Sequence, residues 1–485
     1  QINKNLFQTT FNNNFILKNQ LKLANINKYG RRYKENQKSF ALALYYNSPK
    51  AYNFMRRYLC LPTVRSLRNW LQSIDVSCGV NSNVLDVLKI KFMNVPPSEK
   101  LISIIMDEMS LKKLISYNSQ NDQFSGYEDF GIDHEFVDMK ICDQALVVMI
   151  KGIVKPWKQI VGYFFSKGPV SGFRLKNIIT NVINKVRDAG FIPKVIICDQ
   201  GTNNIGMRNL FGATQTQPFI NFNDENIYFF HDSPHLIKSV RNNLKKYNFS
   251  YENNLCSWSD LADFYNLDKN KKPRLAPRLN KIHMDLPPFS PMRVCLATQT
   301  LSHSVSSGMM TLISMNEMKS SAMHTARFIE LFDNLFDVFN SITHSEAKIL
   351  RKPLTKTSDH WNFLNEAKQV LGKLKVHNRT GKLPPCIVGW KENIIALKLL
   401  FTELNENYKI DFLLTRRLTQ DCVENVFSVV RSKGGNNVTP DATKFHSAIR
   451  MCMCNTLLEP SQSGNCESEC DAVQFLTKCS EIYLQ

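Results

Sequence analysis

Two apolar runs that each stop at an aspartate restrict the possible fold more than any other feature of this chain. Leu101-Ile-Ser-Ile-Ile-Met106 leads into Asp107, with Glu108 beside it, and Lys194-Val-Ile-Ile-Cys198 leads into Asp199. Short runs rich in β-branched residues read as strands buried on both faces. A carboxylate at the end of such a strand is costly unless it is paired, hydrogen-bonded or bound to a metal. Further strands are predicted over residues 114–117, 145–154, 160–165 and 227–230. A helix fits residues 173–189, with Leu175, Ile178, Ile179, Val182, Ile183 and Val186 on one face and Gly190 closing it. The expected product is a mixed α/β sheet presenting two acids at strand ends.

A third acid comes from RRLTQDCVENVFSVVRSKGG, residues 416–435. Val423, Val426, Phe427 and Val430 make the apolar stripe of a helix ending at Gly434-Gly435, while Asp421, Glu424, Ser428 and Arg431 share another face. Packed beside the sheet, that helix could direct Glu424 toward Asp107 and Asp199. Three carboxylates suit two Mg²⁺ or Mn²⁺ ions, hard cations that prefer oxygen. Such ions, about 3.5–4 Å apart, drive in-line phosphoryl displacement. This arrangement is ribonuclease H-like. Asp232 is the rival for the second acid, and His231 and His235 beside it invite a metal reading. Asp199 is preferred because Ser233-Pro234 reads as a helix start that Asp232 would cap.

The long interval between Asp199 and Glu424 requires an inserted domain, which the mostly helical stretch without strand–helix alternation supplies. The expected divisions are a polar linker over 1–32, a helix-turn-helix-like module over 33–95, the first part of the catalytic domain over 96–239, the insertion over 240–415, its second part over 416–460, and a tail over 461–485. In the second division, Ser48 and Pro49 start one helix, and the next carries Arg65, Arg68, Trp70 and Leu71. A helical cap on the next domain is the other reading of that module.

The 61 Lys and Arg against 42 Asp and Glu leave a formal charge of +19, which favours a polyanionic partner, nucleic acid first. The basic run LDKNKKPRLAPRLNK, residues 267–281, reads as a nuclear signal, a phosphate-binding surface or a solvated loop. The apolar runs are far shorter than the roughly 20 residues a membrane helix needs, so no membrane partner is expected. The odd count of 13 cysteines, scattered through apolar segments, favours reduced thiols in a reducing compartment. Those near the C-terminus lack a recognised zinc-finger spacing. The first residue is Gln1, so a preceding region, with any targeting signal, is expected.

The segments SLRNWLQSID, MDEMSLKK, GIVKPWKQ, CDQGTNN, DSPHLIKSVRNN, LATQTLS, LFDVFNS and QDCVENVFSVVRSKGG, in this order, resemble the P-element transposases and their THAP-domain-containing relatives. The resemblance implies a ribonuclease H-like catalytic domain interrupted by a helical GTP-binding insertion and preceded by a helix-turn-helix module. It places Asp107, Asp199 and Glu424 on the family's catalytic and metal-binding positions. Cut-and-paste DNA transposition in the nucleus is implied, acting on transposon ends and target DNA as a homo-oligomer. GTP is implied as a cofactor that is bound and not hydrolysed. Arg278, Arg293, Val294 and Ser302 would lie near its phosphates and ribose, and Asp337, Asn340 and Asp421 toward its base. No phosphate-loop or Asn-Lys-x-Asp guanine motif is present. Arg278 and Arg293 stand where relatives carry Lys, which keeps charge and changes geometry. The family's N-terminal THAP zinc finger has no counterpart in these residues. The alternative is a domesticated DNA- and GTP-binding protein that no longer cuts.

Overall fold

A computed structural model describes residues 15–72, 76–119, 122–131, 139–288, 290–377, 380–433, 437–454 and 474–475. The readings for residues 1–14, Gly434-Gly435 and nearly all of 461–485 lie outside the described residues.

Four helices come first: α1 (Phe15–Ala24), α2 (Glu35–Asn47), α3 (Pro49–Met55) and α4 (Val64–Gln72). Ser48 caps α3 by accepting from Ala51 N at 3.1 Å, with Pro49 in the first turn where its missing N–H costs nothing. On α4, Leu67 is buried while Arg65 and Arg68 are exposed. Helix α5 (Ser82–Phe92) follows and buries Val84, Leu85, Val87 and Leu88.

An eight-stranded sheet organises the next part. Seven of its strands are β1 (Gly79–Val80), β2 (Leu101–Ser110), β3 (Gln144–Gly152), β4 (Trp157–Ser166), β5 (Ile192–Cys198), β6 (Phe219–Phe222) and β7 (Glu225–His231). Their order is β1-β4-β3-β2-β5-β7-β6. The β4-β3-β2 meander is antiparallel, whereas β2, β5 and β7 run parallel. Between β4 and β5 the crossover is α6 (Gly172–Asp188), whose expected apolar stripe from Leu175 to Val186 is buried throughout. Gly190, at φ +86°, ends it in a left-handed conformation that a side chain would resist. The strand read at residues 114–117 is instead half of a separate hairpin, Ser116–Asn118 with Gln123–Ser125.

Beyond α7 (Thr202–Leu210) and α8 (Ser233–Lys246) comes the mostly helical stretch: α9 (Trp258–Asp268), α10 (Val294–Thr300), α11 (His303–Ser314), α12 (Met323–Val338), α13 (His360–Lys373) and α14 (Pro385–Tyr408). It also holds short strands that the sequence reading did not anticipate. Asn248–Tyr251 pairs with both Asn254–Cys256 and Lys375–His377, and Leu354–Thr355 pairs with Phe412–Leu413. Strands of two to four residues are too short to show alternation. One pairing ties the start of this stretch to residues 375–377, and the other ties its middle to its end. The last helices are α15 (Asp421–Lys433), packed against β2, and α16 (Ala442–Cys454), packed against β4.

Helix α14 lies on the sheet rather than apart from it. Asn393 accepts from His231 N at 2.8 Å and donates to His231 O at 2.7 Å, extending the edge of β7 with a side-chain amide. Glu392, 2% exposed, meets His231 Nε2 at 2.6 Å and Arg208 Nη1 at 2.8 Å. About three turns further on, Glu403 meets Lys194 at 2.6 Å and Tyr228 Oη at 2.6 Å.

Candidate active site

Strand register brings the first two acids together. Ile105 on β2 pairs in parallel with Ile197 on β5, and two residues beyond each stand Asp107 and Asp199. Side chains alternate along a strand, so both aspartates leave the same face at the carboxyl ends of neighbouring strands. That edge is where open α/β sheets hold ligands. In the next parallel strand Cys198 pairs with His231, so Asp232 follows at the same level.

The three acids differ in what holds them. Asp107 accepts from Glu108 N at 2.8 Å, and Glu108 itself accepts from Val170 N at 2.9 Å, securing the loop before α6. Asp199 accepts from Gly201 N at 2.8 Å and Asn204 Nδ2 at 2.6 Å. Glu424 lies 3.6 Å from His235 Nε2 and 4.0 Å from Lys238 Nζ. Burial raises the Asp107 pKa to about 7; His235 opposes the rise, while the charges of Glu424 and Asp199 add to it. Asp107, Asp199, Glu424 and His235 therefore share one electrostatic neighbourhood.

Asp232 is spent on architecture. It is 1% exposed, caps α8 by accepting from His235 N at 2.9 Å, accepts from His235 Nδ1 at 2.7 Å, and receives Gln420 N at 2.7 Å. Burial works against its charge, but the His235 hydrogen bond and charge hold its pKa below the usual carboxylate range. Burial likewise opposes protonation of His235, yet Asp232 raises it to about 9, with a smaller push from Glu424. His235 is thus a cation facing Glu424, and His231 is turned away toward Glu392. The two histidines do not share a site.

Sequence reasoning missed Gln420. Its backbone N–H bonds Asp232, and its Nε2 donates to Met106 O at 2.5 Å, the residue before Asp107. Glu424 N in turn bonds Gln420 O at 3.3 Å. One residue so joins the strand of the first acid to the helix of the third. No local signal marks it, because its partners lie far away in the chain.

As it stands, no group of three His, Cys, Asp or Glu side chains among the described residues is gathered tightly enough to hold a metal ion. The donor chemistry nonetheless fits a hard cation: three carboxylates, one of them with its proton affinity raised by burial and by the other two.

The residues assigned to a nucleotide fall in two groups. Arg278 and Arg293 are exposed, Val294 begins α10, and Ser302 stands just before α11 with its hydroxyl donating to Gln299 O at 3.0 Å rather than capping the helix. Asp337 and Asn340 are both 5% exposed at the end of α12. Asp337 meets Lys348 Nζ at 2.5 Å, a residue not anticipated from sequence; burial, the larger influence, leaves its pKa raised in spite of that lysine. Asp421, expected on the Glu424 face, meets Arg416 Nη2 at 3.3 Å, and Arg416 N bonds Ser341 O at 3.2 Å. Asp421 therefore joins the Asp337 and Asn340 neighbourhood through Arg416.

Comparison with known proteins covers most of the chain. Three family models match: the helix-turn-helix domain of transposable element P transposase-like proteins over residues 2–70, the TNP-like RNase H N-terminal domain over 76–212, and the TNP-like GTP-binding insertion domain over 234–353. The transposable element P transposase of Drosophila melanogaster is 26% identical over 435 residues, 85% of this chain and 53% of that protein. The DNA transposase THAP9 of Homo sapiens is 26% identical over 443 residues, 86% of this chain and 48% of that one. This chain spans about half the length of the curated relatives it matches. The solved Drosophila P element transposase strand transfer complex superposes with a TM-score of 0.78 at 25% identity, covering 93% of this chain and 98% of that chain.

Proposed function

This chain belongs to the P-element transposase-like family, and on that premise we propose that it is a DNA transposase of the Asp-Asp-Glu type. It cleaves transposon ends and joins the freed 3′-hydroxyl to target DNA, with Asp107, Asp199 and Glu424 as its metal-binding acids. The observation that carries this reading is the strand register that sets Asp107 and Asp199 at one level on neighbouring parallel strands, with the Glu424 helix α15 packed against the first of them. Mg²⁺ or Mn²⁺ held there supplies activation of a water or 3′-hydroxyl and stabilisation of the leaving oxygen.

The chain's own residues prepare that edge. Asp232 and Gln420 fix the start of α15 against β2, and so set where Glu424 stands. Asn204 and the Gly201 N–H orient Asp199. His235 and Lys238 hold positive charge against Glu424. DNA is the substrate that a net charge of +19 and the exposed Arg65 and Arg68 favour. Assembly as a homo-oligomer on DNA, in the nucleus, accompanies this reading, with the six divisions of the chain drawn above.

GTP is the proposed cofactor, bound and not hydrolysed. Arg278, Arg293, Val294 and Ser302 serve its phosphates and ribose; Asp337, Asn340 and Asp421 serve the base. The buried carboxylate and amide of Asp337 and Asn340 suit guanine, whose N1–H and N2–H₂ are donors that adenine does not offer together.

The test is nicking and strand joining on supercoiled plasmid with Mn²⁺ or Mg²⁺ and GTP, comparing the chain with Asp199→Ala. Activity lost in the variant is the expected result; undiminished cutting by the variant overturns the assignment of the acids. A second reading, DNA and GTP binding without cleavage, draws on the two cations already turned toward Glu424. It expects DNA binding from both proteins and cutting from neither.

A further inference from the structure

On α8, nine residues beyond Asp232, Arg241 is 0% exposed and among the largest fully buried side chains. Its Nε donates to Asn242 Oδ1 at 2.8 Å and its Nη2 to Pro291 O at 2.9 Å, while Nη1 is buried without a hydrogen-bond partner. No carboxylate among the described residues pairs with it. Its ionisable neighbours are Cys295 and His283. His283, bonded through its two nitrogens to Asn280 and Gln299, is no counter-charge. The buried Arg208 and Arg416, by contrast, meet Glu392 and Asp421. A guanidinium buried with only neutral acceptors is a strong penalty for the fold unless something anionic comes to it.

The surroundings indicate which anion. Pro291, whose carbonyl Arg241 holds, lies just ahead of Arg293 and Val294. The Asn280–His283–Gln299 bonds, continued by Ser302 to Gln299 O, link the Arg278 side of this region to the Ser302 side. We propose that Arg241 is a phosphate-binding residue, the buried counter-charge for the phosphate chain of a nucleoside triphosphate held by the insertion. This rests on the GTP reading above and adds a residue to it. A neutral carbonyl is a weak substitute for a phosphate oxygen, to which a guanidinium can offer two parallel N–H donors. Asp232 caps the same helix at its other end.

The experiment is thermal unfolding and titration of the chain with GTP, guanosine and inorganic triphosphate, in wild type, Arg241→Met and Arg241→Lys. Wild type is expected to be stabilised by GTP and by triphosphate. Arg241→Met is expected to unfold no earlier than wild type without ligand, to lose the triphosphate response, and to bind GTP about tenfold to a hundredfold more weakly. Its guanosine affinity should stay unchanged. A variant that unfolds earlier and keeps wild-type GTP affinity overturns the proposal, since Arg241 is then structural. Should Arg241→Met fail to fold, Arg241→Lys decides: weaker GTP binding with unchanged guanosine binding supports the phosphate contact, and wild-type GTP binding overturns it. A wild type that answers triphosphate but neither GTP nor guanosine sinks the GTP reading while the anion site stands. A wild type that answers none of the three overturns the anion site.

Discussion

Two sets of carboxylates lie against the same sheet, and they are treated in opposite ways. On α14, buried Glu392 is enclosed by Arg208 and His231, and half-buried Glu403 meets Lys194 and Tyr228, so each acid has a cation and a hydrogen-bond partner. At the carboxyl edge, Asp107, Asp199 and Glu424 share one electrostatic neighbourhood, and burial first, then the charges of Glu424 and Asp199, raises the Asp107 proton affinity. Paired acids lock a helix to a sheet. Neighbouring acids that raise one another's proton affinity are a cost that a function explains. Arg241 belongs with the second set.

The largest effect should separate the two sets by activity. Asp107→Asn, Asp199→Asn or Glu424→Gln is expected to lower metal-dependent cleavage by about a thousandfold or more while DNA binding and folding persist. Plasmid nicking beside a gel-shift titration checks this. Next comes stability: Glu392→Ala leaves Arg208 buried without its acid and should cost about 3–5 kcal/mol in denaturant unfolding. If it costs no more than a surface substitution, the pairing on α14 is not what holds that helix.

The third comparison uses pH. The folded Asp107 pKa is raised to about 7, so between the ordinary carboxylate value and pH 7 the native state binds a proton that the unfolded chain has released. Its contribution to stability is full at low pH and is lost as pH rises through 7. Asp107→Asn should flatten that part of the metal-free stability profile, and saturating Mg²⁺ should flatten it too, since bound metal lowers the proton affinity. Unfolding midpoints from pH 4 to 8, with and without metal, read both. The smallest effect is the control: Lys373 and Glu252 form an exposed pair at 2.9 Å, and Lys373→Ala should leave the unfolding midpoint where it was.

How legible all this was depended on distance along the chain. The stripe of α6, the Ser48-Pro49 start of α3 and the cap at Asp232 are local, and their patterns show in the sequence before any folding. The two aspartates were legible because an acid that breaks an apolar run, inside β2 or just past β5, violates the hydrophobic pattern of its strand. The short strands around the insertion were not, since two to four residues carry no period. Gln420 was hidden for another reason: its meaning is a contact with Met106 and Asp232, and a glutamine next to an aspartate looks like an ordinary helix start. Lys348 beside Asp337 and Glu392 beneath His231 were hidden in the same way.

By itself, then, the sequence determined the local elements, the excess of positive charge and which acids break the apolar pattern, because those follow from neighbours a few residues apart and from composition. The tertiary structure alone decided the register that sets Asp107 against Asp199, the clamp that turns Glu424 toward them, and which buried charges have partners. Those are long-range packing outcomes. Whether a buried charge is paired depends on what the fold brings to it from elsewhere in the chain, and no local pattern records that.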